Sequence, residues 1–195
     1  MAKVIVNATV SVDGFIADEN DGIGPMFDWM GSGDVAVTDD GDYAGLRVAH
    51  ASAEYIRAEF LPVRAIVVGR NSFDHANGWN GEVPGGEHLY VVTHEPPADW
   101  PYPDAAFTFV TDGVENAIAQ AREFAGDGHV SVSAGDIGTQ VIEAGLADEV
   151  HLELVPVLFG HGKRFFHEGG ALRMLENPRV FVGERVTHLC FPIRK

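Results

Sequence analysis

A single cysteine, Cys190, stands among 195 residues. An internal disulfide is therefore impossible, and the chain must hold itself together with a hydrophobic core, for which this length suffices in one domain spanning residues 1–195. Cationic side chains are also scarce: 13 Lys and Arg stand against 29 Asp and Glu, a formal net charge of -16. A surface of that sign repels nucleic acid and anionic lipid and argues against both as partners; any anion site must be built from local donors. No apolar run is long enough to span a bilayer, and Met1-Ala2-Lys3-Val4-Ile5-Val6 continues into polar residues without the apolar stretch of a secretory signal. A cytoplasmic location is the expectation. The first apolar run is not followed by Gly-x-Gly-x-x-Gly, and no Walker pattern occurs, which excludes an ordinary Rossmann dehydrogenase and a P-loop NTPase. Ser131 and Ser133 lack a nucleophile elbow, so serine hydrolysis is set aside.

The residues that are present read as a globular α/β domain, with 46% hydrophobic against 22% charged residues. Strands are predicted over Lys3–Val10, Ala65–Val68, His88–Thr93, Phe107–Val110, His129–Ser133, Glu149–Val155, Arg179–Glu184 and His188–Ile193. Several are near-continuous apolar runs, the pattern of strands buried on both faces. Helical spacing is found over Val48–Phe60, over Val114–Phe124 with Asp112 as its N-cap, and over Ile137–Ala144 ending at Gly145. Alternating strands and helices imply a mostly parallel central sheet, and the helix-poor tail implies antiparallel strands added at its C-terminal edge. Residues 18–45, rich in Gly and Asp, read as a long polar loop, either a mobile lid or a disordered insertion. Cys190 lies in an apolar run and reads as a buried, inert thiol.

The stretch Ala65-Ile66-Val67-Val68-Gly69-Arg70-Asn71-Ser72-Phe73 runs from a buried strand into a compact turn. An Arg fork, a Ser hydroxyl and backbone N–H groups at a strand's carboxyl end suit a phosphate, although in so acidic a chain Arg70 can instead pair with a carboxylate. Three further segments fall in register with it: Ala8-Thr9-Val10-Ser11-Val12-Asp13-Gly14-Phe15-Ile16-Ala17, Ala134-Gly135-Asp136, and Gly145-Leu146-Ala147-Asp148-Glu149-Val150 leading to Val155-Pro156-Val157-Leu158-Phe159-Gly160-His161-Gly162. In this order the chain resembles the dihydrofolate reductase-like superfamily, in particular the branch containing the reductase domain of bacterial riboflavin biosynthesis, from residue 3 to about residue 166.

The resemblance implies a three-layer α/β fold and NADPH laid across the carboxyl ends of parallel strands. Residue by residue, it places Gly69, Arg70 and Ser72 on cofactor phosphates. Thr93 and His94 fall on the adenosine side, unless they simply begin a loop. A further phosphate contact falls on Ala134 and Gly135, with the helix start through Ile137 and Thr139. Ala134 replaces the first glycine of the family's Gly-Gly turn, which is compatible with the fold if its φ is negative, and Asp136 adds an unfavourable charge beside a pyrophosphate. Thr9, Ile16 and Ala17 fall beside the nicotinamide. Asp13, the polar residue nearest that seat, either serves catalysis on a small-molecule substrate or caps the turn at Gly14. Trp29 is expected near the substrate too. Neither Glu54 nor Glu59 aligns with the pteridine-binding carboxylate of folate reductases, so another small heterocycle, pyrimidine- or pteridine-like, or a carbonyl compound is the expected substrate. Lys163 and Arg164 are either a docking point for a substrate phosphate or part of a solvated loop. The resemblance also implies a homodimer, joined at the apolar C-terminal edge.

Nine histidines raise the question of a metal. His161 and His167, or His151 with Glu153, match no known ligand spacing, and scattered surface histidine with no metal is the reading. The alternative to a reductase, raised by Ala134, Asp136 and the acidity, is a non-catalytic nucleotide-binding or assembly module on the same fold.

Overall fold

Helices carry the chain back to the same edge of one sheet again and again, and so most strands of the protein run parallel. The structure is a computed structural model that describes residues 2–39, 43–167 and 170–194. Lys3–Ser11 (β1) turns through Gly14 into Phe15–Ala17 (β2). A 3-10 segment, Gly24–Gly31, and the short strands Val35–Ala36 (β3) and Arg47–Val48 (β4) precede His50–Tyr55 (α1), which widens into a π-helical turn over Ile56–Phe60. Val63–Gly69 (β5) runs directly into Arg70–His75 (α2), followed by a 3-10 turn at Asn77–Gly81. His88–Val92 (β6), Phe107–Val110 (β7), Val114–Ala125 (α3), His129–Ser133 (β8), Asp136–Glu143 (α4) and Glu149–Val155 (β9) complete the alternation. Lys163–Arg164 (β10), Arg179–Val182 (β11) and Thr187–Pro192 (β12) form the tail.

The main sheet has the order β11-β12-β9-β1-β8-β5-β6-β7. From β9 to β7 every pairing is parallel, while β12 and β11 are antiparallel additions at one edge. This is the mixed α/β, three-layer architecture expected from the sequence.

Side-chain alternation divides the sheet into two faces. Val4, Val6 and Val10 of β1, Val130 and Val132 of β8, Ala65 and Val67 of β5, and Val150 of β9 pack with α3 and α4 in one core. The opposite face is covered by two separate clusters. One joins Met26, Trp29, Ala53, Tyr55 and Ile56 to Val155, Val186 and Cys190. The other joins Phe73 to Ile66, Val68, Leu89 and Val91. Between these clusters lie β1 and β8, whose side chains on that face, beyond the buried Ile5, include Asn7, Thr9, Ser131 and Ser133. The fold thus leaves a polar strip between two apolar covers.

The structure corrects three expectations. Residues 18–45 are not a featureless loop: among those described, Met26 and Trp29 are 1% exposed and help build the second core. Trp29 packs edge-on against His188, with ring centroids 5.0 Å apart, and so belongs to that core rather than to a substrate surface. Asp112 does not cap α3; Gly113 holds that position at φ +103, and Asp112 accepts a 2.6 Å hydrogen bond from Asn116 instead. Gly145 is as expected, past the end of α4 at φ +70.

Helix α4 lies very close to the sheet. A Cβ at Gly138 would sit 2.6 Å from Val6 Cγ1 and 2.8 Å from the Ser133 carbonyl oxygen. Gly138→Ala is therefore expected to cost about 1–3 kcal/mol and to lower the melting temperature by several degrees. Gly31→Ala, where a Cβ would meet nothing within 4 Å, should leave it unchanged; thermal denaturation of both variants makes the comparison.

Candidate cofactor and substrate site

The parallel strands deliver their carboxyl ends to one edge, and the segments singled out in the sequence meet there. Val68 ends in Gly69, after which α2 starts without a linker. A Cβ on Gly69 would stand 2.8 Å from Ile137 Cγ1, so only glycine lets the first turn of α4 approach β5 this closely. Gly135 caps α4 at φ +81, and a Cβ there would lie 3.6 Å from Ile16 Cδ1. Ile16, Gly69, Gly135 and Ile137 are thus brought together. Ala134 is absent from the residues with positive φ; its N–H donates to the Asn7 carbonyl at 3.3 Å, so alanine fits without backbone strain. Thr9 is buried on the face opposite α4, and its neighbour across β9 is Glu153.

Arg70 projects from the start of α2. Its Nε donates to Asp74 at 2.7 Å and its Nη1 to the Glu95 carbonyl at 2.8 Å, which holds the guanidinium beside the turn after β6. The Thr93 hydroxyl donates to that same Glu95 carbonyl at 2.7 Å, and His94 is exposed at the tip of the turn. Ser72 is exposed on α2. Thr139 is already engaged: its hydroxyl donates to the Gly135 carbonyl at 2.8 Å and accepts from the His167 N–H at 3.1 Å. Ala17 is buried on β2 and pairs with Lys163 of β10, whose ammonium is bound to Asp21. Asp21 also accepts from Asn71 at 3.3 Å, so the segment after β2 is tied to the first turn of α2; Lys163 holds the Asp21 carboxyl below its usual range. Arg164 lies over the Phe15 ring, 4.8 Å from its centroid.

Asp13 is a clamp. Its carboxylate accepts from the Ser11 hydroxyl at 2.6 Å and from the N–H groups of Gly160 at 2.7 Å and Phe159 at 3.3 Å. These bonds, Ser11 first, hold its pKa below the ordinary value. The carboxylate thereby joins the turn after β1 to the loop after β9.

The polar strip adds residues that the sequence reading did not place in a site. Asn7, Ser131 and Ser133 are half-buried between the two apolar covers, and Ser131 donates to Asn7 Oδ1 at 2.7 Å. Their signal was the polar alternation along β1 and β8. Next to them, Tyr55 on α1 donates to Glu153 at 2.5 Å.

The histidine reading is overturned in part. His151 and His188 are 1% and 0% exposed, not scattered on the surface. Ligating atoms of Glu59, Glu149 and His151 lie within 4.8 Å of one another, but the cluster already has cations of its own. Lys3 is 3.1 Å from Glu149, and Arg179 is 2.6 Å from Glu59 and 3.0 Å from Glu149. Glu149 and Lys3 begin β9 and β1, so this ion cluster occupies the amino end of the sheet, opposite the convergence of Gly69 and Gly135. Glu59 is thereby removed from the substrate end, and Glu54 is exposed beside His50.

A sequence model of the RibD C-terminal domain matches residues 2–187. The chain belongs to the RibD C-terminal domain family. It is 23% identical over 167 residues to the uncharacterized protein YwjB of Bacillus subtilis (strain 168), covering 85% of this chain and 83% of that one. Its fold is similar to a putative riboflavin biosynthesis protein from Shewanella sp. PV-4, with a TM-score of 0.67, 21% identity and complete coverage of both chains. It is also similar to Enterococcus faecalis dihydrofolate reductase, crystallised with NADP(H) and RAB-propyl, with a TM-score of 0.61 at 12% identity over 99% of this chain and 97% of that one. A Thermotoga maritima diaminohydroxyphosphoribosylaminopyrimidine deaminase/5-amino-6-(5-phosphoribosylamino)uracil reductase gives 0.63 at 14% identity, over 99% of this chain and 57% of that longer one. RibD C-terminal domain proteins thus share the dihydrofolate reductase-like fold seen here. Among the described residues no helix is long and apolar enough to cross a membrane.

The ion cluster sets the acid sensitivity of the fold. Burial works to raise the Glu149 pKa, but the His151 hydrogen bond and the charges of Lys3 and Arg179 outweigh it and bring it from 4.5 to about 2. A carboxylate with a depressed folded-state pKa stabilises above its unfolded pKa and loses that contribution as pH falls through the folded one. Glu149→Gln should therefore flatten the loss of stability between pH 4.5 and about 2, read by urea unfolding at stepped pH; an unchanged acid limb contradicts this assignment.

Proposed function

We propose that the protein is an NADPH-dependent reductase that passes hydride to a small heterocyclic substrate, pyrimidine- or pteridine-like, or to a small carbonyl compound. The observation that carries the reading is the convergence of Gly69, Gly135, Ile137 and Ile16 at the carboxyl edge of a parallel sheet, where open α/β folds bind nucleotides. Two tests of fit favour the cofactor. Gly69 keeps a space that a Cβ would close, and α4 presents its first N–H groups beside Gly135. Arg70 supplies a fixed positive charge at this edge of an otherwise acidic chain. Its pairing with the exposed Asp74 is a surface ion pair, worth little and readily exchanged for a phosphate.

In this reading Gly69, Arg70, Ser72, Ala134, Gly135, Ile137 and Thr139 border the phosphates, Thr139 chiefly by holding the Gly135 turn. Thr93 and His94 border the adenosine side, and Thr9, Ile16 and Ala17 the nicotinamide. When bound, the cofactor supplies hydride. The chain's part is to place the substrate against the strip of Asn7, Ser131 and Ser133 and to exclude water with the flanking apolar clusters. Asp13 positions the loop at Phe159 and Gly160 that closes the nicotinamide end.

The second reading, a non-catalytic binding or assembly module, is favoured by Asp136 in the first turn of α4 and by the occupied Arg70 fork. Substrate-dependent NADPH oxidation over a panel of pteridines, pyrimidines and quinones separates the two: turnover supports the reductase, and binding without turnover the module. For the cofactor itself, fluorescence titration should show saturable NADPH binding that Arg70→Ala weakens about tenfold to a hundredfold, with a smaller effect on NADH. Equal binding by wild type and variant would falsify the phosphate role of Arg70.

A homodimer belongs to the same proposal. Val180 and Val182 of the edge strand β11 are 52% and 71% exposed, on the sheet face that α3 and α4 leave uncovered beyond β9. Light scattering should return twice the 21.0 kDa chain mass, and Val182→Glu should return the single-chain mass; a wild-type monomer refutes the dimer.

A further inference from the structure

Hydride added to a C=N or C=O bond leaves nitrogen or oxygen needing a proton. Asp13 is ill suited to give one, because the Ser11 hydroxyl and two backbone N–H groups all stabilise its ionised form. A second carboxyl is buried on the same face of the sheet as Thr9. Glu153 of β9 is 2% exposed and pairs in register with Thr9 of β1 on one side and with His188 of β12 on the other. Partner residues in register share a face, so the Glu153 and Thr9 side chains stand on the same side of the sheet, about one strand spacing, ~4.8 Å, apart. On the other side of Thr9, β8 has already ended: its last pair with β1 is Asn7 with Ser133, and Gly135, the cap of α4, lies two residues further on. Glu153 thus stands beside Thr9, which the reductase reading assigns to the nicotinamide seat.

Its surroundings differ from those of the other buried acids. Glu59 and Glu149 share Lys3 and Arg179, whereas Glu153 accepts a 2.5 Å hydrogen bond from a neutral donor, the Tyr55 hydroxyl. Titratable groups face this pair from every packed element. They are His188 and Cys190 from β12, Arg179 from β11 beside Cys190, His151 from β9 itself, and Glu59 from the turn after α1. His188 stacks on Tyr55 at 4.1 Å and its Nε2 lies 2.9 Å from the Ser52 hydroxyl; burial pushes it down to about 4, so it stays neutral. Burial pushes the Cys190 thiol up to about 12. Burial of Glu153 raises its carboxyl to about 7 against the opposing effect of the Tyr55 bond.

We propose that Glu153, held by the Tyr55 hydroxyl beside Thr9, is the proton-holding residue of the site and supplies the substrate side of the crevice through the Thr9 hydroxyl. The inference rests on the reductase reading. In the step, substrate carbon gains a C–H bond as the π electrons of its double bond move to nitrogen or oxygen. That atom takes the Thr9 proton, Thr9 takes the proton of Glu153, and the glutamate left behind regains one from solvent. The nicotinamide is the species oxidised.

The experiment compares wild type, Glu153→Gln and Tyr55→Phe in three readouts: NADPH binding by fluorescence, the pH dependence of single-turnover NADPH oxidation with a panel substrate, and carbon-13 NMR of glutamate side-chain carboxyls. The expected NMR result is one carboxyl signal, missing from Glu153→Gln, that titrates near pH 7 and moves upward in Tyr55→Phe, which loses a bond that favours the ionised form. Glu153→Gln should bind NADPH as wild type does, lose about a hundredfold in single-turnover rate and lose the neutral-range limb of the pH profile; Tyr55→Phe should shift that limb with the NMR midpoint. A Glu153 signal titrating in the ordinary carboxyl range overturns the inference whatever the rates show, as does a pH profile that neither variant changes. Wild type that binds no NADPH overturns the reductase reading itself, and is told apart from failure of the proton role by the binding measurement alone.

Discussion

The first turn of α4 rests on the sheet at a distance that only glycine permits, and the arrangement of the site depends on that contact. Gly138 lies against Val6 and the end of β8, and Gly69 at the end of β5 makes room for Ile137. With α4 fixed there, the Gly135 N–H meets the Phe165 carbonyl at 2.8 Å, and Phe165 in turn donates to the Gly14 carbonyl at 3.0 Å. The loop after β9 is thus held against the turn after β1, where Asp13 secures it through Phe159 and Gly160. Side chains larger than hydrogen at positions 69 and 138 would lift the helix and loosen each later contact in this chain.

The two ends of the sheet solve different electrostatic problems. At the amino end, Glu59 and Glu149 are buried with His151, and Lys3 and Arg179 reach in on partly exposed stems to neutralise them. Removing one member of such a cluster leaves a charge without compensation, so the group acts as a unit. The other end carries polar groups without a fixed charge balance: Ser133, Thr9, and a glutamate whose partner is a tyrosine hydroxyl. Groups of this kind exchange partners and protons at low cost. A crevice that must admit a ligand is better lined by them than by saturated ion pairs.

Much of this was legible in the sequence. The parallel core followed from apolar runs such as Ala65–Val68 alternating with helical spacing, and the antiparallel edge followed from the helix-poor tail. Gly69 and Arg70 were legible from a strand end running into a turn, and Gly135 joined them through the family resemblance. Other features depend on which strands become neighbours, and local pattern does not carry that information. The Thr9–Glu153 pairing joins residues far apart in the chain, as does the approach of Gly138 to Val6. Polar residues 18–45 read as loop because burial of Met26 and Trp29 is decided by β12 and α1, which come much later. Asp112 failed as a cap because Gly113, able to take positive φ, entered the position first. His151 and His188 read as surface residues because their burial depends on Tyr55 arriving from α1.

The central claim is that the carboxyl edge around Gly69 and Gly135 receives the cofactor. Hydrogen–deuterium exchange of the whole chain with and without saturating NADPH tests it most directly, because it reports where the cofactor sits without a substrate. The account predicts slower exchange confined to the backbone N–H groups of residues 69–73, 93–95 and 134–139 and to the segment after β2, with the ion cluster around Glu149 unaffected. Protection at the amino end of the sheet, or binding that protects none of these segments, would contradict it.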